Sequence, residues 1–201
     1  MKEPRTLEMI HKRFFKKYDT AKKYMENLVR RELIPPPMHV LWDEDDGGRP
    51  RNVYCRRDIP HKMRKHEICS CHVADAFRAH GVEVRVGKLP LFCDRYMELN
   101  GIPFHLEIDL GTENQWQLRN VLSKYHGAKG FVLFTTTTRD RLQLAMSLAG
   151  ELKENAFFAL IADVIREPFG KVWIDVTKKA VSLPKPSPKT PSRNLGQGET
   201  R

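Results

Sequence analysis

The stretch LFCDRYMELNGIPFHLEIDLGTENQWQLRNVLSKY, residues 91–125, sets Asp94, Glu107 and Asp109 inside two apolar runs joined by Asn100-Gly101. Asn-Gly between runs of β-forming residues predicts a tight hairpin, because both central positions of a type I′ turn require φ > 0. In the second strand the two-residue period sets Phe104, Leu106, Ile108 and Leu110 on one face and His105, Glu107 and Asp109 on the other. Asp94, on the partner strand, can fall near the last two, although counting across the turn does not fix its register. Three neighbouring carboxylates repel one another unless a cation or a proton intervenes. A hard divalent ion, Mg²⁺ or Mn²⁺, suits an oxygen-rich site and activates water for attack on a phosphodiester. A hairpin with one solvated face explains the same alternation without any ion.

Composition bounds the setting. The 201 residues suffice for one sizeable domain or two small ones, and 40% hydrophobic content supports a packed core. A formal net charge of +10 points to an acidic partner, nucleic acid before a membrane surface. No apolar run reaches the length of a membrane span, and MKEPRTLEM lacks the apolar stretch of a signal peptide, so a cytoplasmic protein without membrane attachment is expected. Cys55, Cys69, Cys71 and Cys93 are irregularly spaced, which suits reduced thiols. Cys69 and Cys71, one residue apart on a helix, diverge too far to share a zinc ion readily. Trp42, Trp116 and Trp173 read as packing residues.

Toward the N-terminus, Thr6 caps a short helix carrying Leu7, Ile10, His11 and Phe14. Asp19 or Thr20 opens a second, whose stripe of Ala21, Met25, Leu28 and Val29, with Tyr24 and Leu33 alongside, stops before Pro35-Pro36-Pro37. Its other face carries Lys22, Lys23, Glu26, Asn27, Arg30 and Arg31, a solvated face or one that enters a DNA groove. MHVLW, an acidic Gly-Gly loop and RNVYCR then read as a β-hairpin wing with Arg49 and Arg51 near its tip. That order matches a winged helix-turn-helix, with Lys22, Lys23 and Asn27 toward the major groove and Arg49 or Arg51 toward backbone or minor groove. Asp43, Glu44, Asp45 and Asp46 in the wing loop would repel phosphates, which turns the wing away from DNA or toward a protein.

Beyond the wing, residues 66–80 predict a helix with Cys69, Val73, Ala76 and Phe77 on one face and Gly81 as its cap. VEVRV reads as a strand, and residues 113–126 as a helix with Leu118, Val121, Leu122 and Tyr125 at core spacing. FVLFTTT reads as a buried strand, residues 139–152 as a helix, and FFALIADVI and KVWIDV as two more strands. The tail from Leu183 has no core-forming character and reads as disordered.

The order helix, strand, strand, strand, helix, strand, with an acid on the second strand and an acid-x-charged pair on the third, looks like the restriction-endonuclease-like PD-(D/E)xK arrangement. The resemblance implies that Asp94 and Glu107 hold the metal. Cys93 stands where that motif has proline and Asp109 where it has lysine, which leaves Lys124, with Gln117 on the polar face of the next helix, as the candidate displaced lysine. Taken whole, residues 6–176 resemble the replication-relaxation family of plasmids and mobile elements, on NVYCR, HEICSCHVADAF, Asp94, LEIDLGTE, Tyr125 and FVLFTTTTRDR. The family pattern has a lysine four residues before the tyrosine, where this chain has Val121, and a helix before the helix-turn-helix pair that this chain lacks.

The expected architecture is therefore α/β (α+β), with a winged helix-turn-helix over residues 1–60, a nuclease-like αβββαβ domain over 61–182 and a disordered tail over 183–201. The expected function is a DNA-binding protein of a plasmid or mobile element, acting in replication, DNA relaxation or transcriptional control through duplex DNA and a possible homodimer, with a non-catalytic nuclease-like domain. The alternative is a metal-dependent DNA nickase or endonuclease using Asp94, Glu107, Asp109 and Lys124, with the three acids as ligands to Mg²⁺ or Mn²⁺.

Overall fold

At the hairpin turn, Asn100 and Gly101 take φ of 52° and 81° and set Leu99 opposite Ile102, as Asn-Gly demands of a type I′ turn. The computed structural model describes residues 3–41, 50–55, 59–87, 91–152 and 155–187. The hairpin comprises β5 (Arg95–Leu99) and β6 (Ile102–Asp109), and β4 (Val84–Val86) lies antiparallel on the outer edge of β5. On its other side β6 pairs in parallel with β7 (Phe131–Thr136), reached through helix α4 (Gln115–Ser123). β7 in turn pairs in parallel with β8 (Ala156–Leu160), reached through α5 (Arg139–Leu148). Antiparallel β9 (Trp173–Asp175) and β10 (Ala180–Val181) complete a seven-stranded mixed sheet in the order β10-β9-β8-β7-β6-β5-β4. The chain is thus a mixed α/β protein.

Each face of the sheet is covered. Phe104, Leu106 and Ile108 pack with Val73 and Phe77 of α3 (His61–Arg78), and with Leu133 and Trp173. On the opposite face Val132, Phe134 and Phe158 pack beneath Leu118 and Leu122 of α4 and Leu142 and Ala145 of α5. The face of β6 that carries His105, Glu107 and Asp109 is therefore buried, and the solvated-hairpin reading of the alternation does not hold. A parallel neighbour with crossover helices buries both faces of a strand, which the hairpin sequence alone does not reveal.

The N-terminal part begins with β1 (Arg5–Thr6), followed by α1 (Leu7–Phe14), α2 (Tyr18–Arg30), β2 (Met38–Leu41) and β3 (Pro50–Tyr54). The strands form a small antiparallel sheet, β1-β3-β2. The Thr6 hydroxyl caps α1 by accepting from the Met9 N–H at 3.2 Å, as expected. α2 starts one residue before Asp19, with no side-chain cap. It closes through Glu32 at φ 56°, with the Leu33 N–H donating to the Leu28 carbonyl. That turn swings Leu33 outward to 52% exposure and sends Ile34 into the core with Leu7, Ile10, Ala21, Met25 and Tyr54, so the apolar stripe of α2 is shorter than periodicity predicts. Tyr24 is likewise half exposed, resting on Phe15.

Ion pairs, buried at Arg5 and partly exposed elsewhere, tie β1 and α1 to α3. Arg5 and Arg13 both reach Asp75, while Arg78 donates to Asp75 and to both oxygens of Glu3. α3 therefore serves both parts, and Ala76, expected in its core face, is only half-buried while Ala74 takes the buried position.

Two further expectations are corrected. Only the first part of FFALIADVI is a strand, and α6 (Ile161–Arg166) follows directly, burying Ile161 and Val164 against α3 and the sheet. A six-residue apolar helix has the same composition as a buried strand, so length and periodicity do not separate them. Leu183, taken as the start of a disordered tail, is buried in the main core. Past it, Asn100 donates to the Lys185 carbonyl at 3.2 Å and accepts from the Ser187 N–H at 2.9 Å, pinning this segment to the hairpin turn.

Candidate functional site

β6 runs on beyond the start of β5, so the far end of its edge has no strand partner there. Asp94, just ahead of β5, fills that place: its Oδ2 accepts from the Ile108 N–H at 2.8 Å. His66 of α3 completes the patch, its Nε2 lying 3.0 Å from the Ile108 carbonyl and 3.2 Å from Asp94 Oδ2. Both neighbours are acceptors, so Nε2 carries the proton. Burial opposes charge on this ring, but Asp94, the Ile108 carbonyl and Glu67 outweigh it and raise the His66 pKa. Asp94 therefore helps to close a sheet edge and holds the His66 ring beside it.

Glu107, 7% exposed, points under the C-terminal end of α4. Lys124 caps that helix, where a cation complements the helix dipole, and its Nζ sits 2.7 Å from Glu107 Oε1 and 5.1 Å from the Tyr125 ring centroid. The Tyr125 hydroxyl donates to the same carboxylate oxygen. Burial and the nearby Asp94 charge push the Glu107 pKa up to about 7, against the pull of Lys124 and Tyr125. Burial and Glu107 raise Tyr125 as well, so the phenol stays protonated and donates. Beside them, burial pushes the Cys93 thiol up to about 11, and its Sγ lies 3.7 Å from His105 Nδ1.

Asp109, 4% exposed, follows Glu107 on the same face of β6 and is gripped by Arg141 in the first turn of α5. Nε meets Oδ2 at 2.5 Å and Nη2 meets Oδ1 at 3.1 Å, a bidentate fork, and the Gly111 N–H donates to Oδ1 at 2.9 Å. Glu113, on the loop before α4, is raised by burial and by Asp109.

The three acids singled out by sequence do not converge on one point. Each has its own basic side chain from a different helix: His66 from α3, Lys124 from the end of α4, Arg141 from α5. Among the described residues no group of three or more His, Cys, Asp or Glu side chains is arranged to hold a metal ion. As placed, the donors do not fit a divalent cation, because seating one requires pulling carboxylates off their internal partners. Lys124, by contrast, does reach Glu107 as the displaced-lysine reading expects.

Sequence reasoning missed His66 and Arg141 as members of this cluster. For Arg141 a signal exists: a helix-opening TRDR places cations at the positive end of a dipole, where only an acceptor elsewhere makes them favourable. For His66 the partner is an edge of backbone, which leaves no mark in sequence.

On α2, Lys22, Lys23, Glu26, Arg30 and Arg31 are exposed. Asn27 is half-buried and its Oδ1 accepts from Arg30 at 3.1 Å. Arg51 stands on β3 opposite Val40, while Arg49, Trp42 and the acids Asp43, Glu44, Asp45 and Asp46 lie outside the described residues. The four cysteines are buried free thiols, and Trp173 is a core residue whose Nε1 donates to the Pro168 carbonyl. Trp116 is not a packing residue: it is 70% exposed on the first turn of α4, because Leu118 and Leu122 take that helix's inward positions. No helix among the described residues is long and apolar enough to cross a membrane. Set beside known proteins, the chain matches no family model and no curated protein.

Proposed function

We propose that this is a DNA-binding protein of a plasmid or mobile element, acting in replication, DNA relaxation or their transcriptional control, with a winged helix-turn-helix joined to a non-catalytic nuclease-like domain. The observation that carries the non-catalytic part is Asp109. It occupies the position where a nuclease of the PD-(D/E)xK type needs a free ammonium beside its attacking water, and it is locked into a bidentate pair with Arg141. Its neighbours Glu107 and Asp94 are likewise engaged inside the protein. The winged-helix reading is supported by two helices followed by a hairpin whose second strand pairs with β1. The nuclease-like reading is supported by α3, the β4-β5-β6 meander and the parallel strand β7 reached through α4. Duplex DNA as partner rests on the net charge of +10.

Supercoiled plasmid incubated with the purified protein and Mg²⁺ or Mn²⁺ is expected to stay supercoiled. One specific contact favours the second reading, a metal-dependent nickase: Lys124 lies on Glu107, where a displaced lysine would act. Nicking that EDTA stops and that Asp94→Asn and Lys124→Met each abolish would establish that reading in place of the first.

DNA docking by α2 has its own test. Reversing charge at Lys22 and Lys23 together should weaken binding to a mixed-sequence duplex and lower the salt slope by about two, because each lost phosphate contact releases about one counterion fewer. Equal affinity and slope in the folded double variant would take α2 out of the interface.

A further inference from the structure

The outer face of α4 presents Trp116, Arg119, Asn120 and Ser123 to solvent, with Gln115 and Gln117 beside them, while Leu118 and Leu122 anchor the helix from beneath. Trp116, 70% exposed, leaves a large ring with a polar N–H edge available on this face. Its neighbours combine a guanidinium, carboxamides and a hydroxyl, the groups that bond phosphates and base edges. Residues 114–130 contain no aspartate or glutamate and carry Arg119, Lys124, His126 and Lys129. α2, by comparison, interleaves Asp19 and Glu26 with its lysines. Phe92, 65% exposed at φ 46°, lies between Leu91 and Cys93, whose side chains pack in the cluster under α4, so a second outward aromatic stands in the loop adjoining that helix.

We propose that the outer face of α4 is a second DNA-contacting surface, with Trp116 packing against the deoxyribose backbone of the duplex and Arg119 and Asn120 bonding the adjoining phosphates or base edges. The inference rests on the DNA-binding reading above and adds a surface that neither the wing nor α2 supplies. An acid-free, hydrogen-bonding helix face on a chain of this net charge fits a polyanion. A flat aromatic ring among those groups fits a polyanion whose backbone also offers apolar deoxyribose faces.

The test uses the full chain, a short mixed-sequence DNA duplex, and Trp116→Ala, Trp116→Phe and Arg119→Gln, all on exposed positions and each checked for a cooperative thermal transition. Trp116→Ala should weaken binding about fivefold or more, and Trp116→Phe, which keeps a ring, should fall between it and the wild type. Arg119→Gln should reduce the salt slope by about one. Subtracting the emission of Trp116→Phe from that of the wild type isolates Trp116, which the duplex should shield from acrylamide quenching. Unchanged affinity in all three variants, with Trp116 equally quenched when DNA is bound, would overturn the α4 surface. If Lys22 and Lys23 reversal still weakens binding in that case, only this inference fails. A wild-type chain without salt-dependent duplex binding would remove the DNA-binding reading, and this surface with it.

Discussion

Replacing Arg141 with methionine should destabilise the protein by about 3–5 kcal/mol, the cost of leaving a buried carboxylate without its partner. Asp109 is 4% exposed, and its remaining donor, the Gly111 N–H, cannot balance a full charge. Methionine keeps most of the packing volume, so the loss reports the charge and not a cavity. For a domain of this size the melting temperature should fall by roughly 10 °C. Adding Asp109→Asn should restore most of it, since a neutral amide no longer needs the guanidinium. The check is a double-mutant cycle by denaturant unfolding, and two changes that simply add would show that the pair contributes little.

Glu107 should make stability fall with rising pH. In the folded protein burial, with the nearby Asp94 charge, holds its proton until about pH 7, whereas the ordinary carboxyl value is 4.5. Between those values the folded state binds more protons than the unfolded chain, so stability present below the lower value is lost as pH climbs through the upper one. The amount is on the order of 2–4 kcal/mol. His66, also raised, adds in the same direction, while His105, lowered by burial, opposes it. The difference between wild type and Glu107→Gln isolates the one group. The variant should match the wild type near the low end of the window and exceed it above neutral pH. Parallel stability curves for the two proteins would place the pH dependence elsewhere.

Much of this site is legible in sequence where the physics is local. Asn100-Gly101 admits one turn, and the alternation in FHLEID separates Glu107 and Asp109 from Phe104, Leu106 and Ile108. The start of α4 is marked by Asn114 and Gln117 through a reciprocal capping box, whereas its end at Ser123, which makes Lys124 the C-cap, falls short of the residue 126 that periodicity predicts. What covers the acid face is not local. It depends on β7 lying parallel to β6, which brings α4 and α5 over that face and converts a solvated pattern into buried ion pairs. Strand β1, two residues long, leaves no periodic signal at all. The outward turn of Leu33 depends on a left-handed Glu32, a conformation that sequence assigns to glycine or asparagine first.

The guanidinium network around Asp75 has a mechanical meaning for the two DNA contacts proposed above. Modules on a flexible linker reach a second contact at an effective concentration set by linker length, and each engagement costs chain entropy. Here Arg5 is 7% exposed, and swinging β1 and α1 away from α3 would strip Arg5 and Arg13 from Asp75, and Glu3 from Arg78, at once. These shared contacts act as a latch between the N-terminal part and the sheet domain. For the two DNA contacts proposed above, the span between them is then set when the chain folds, as between the jaws of a clamped caliper.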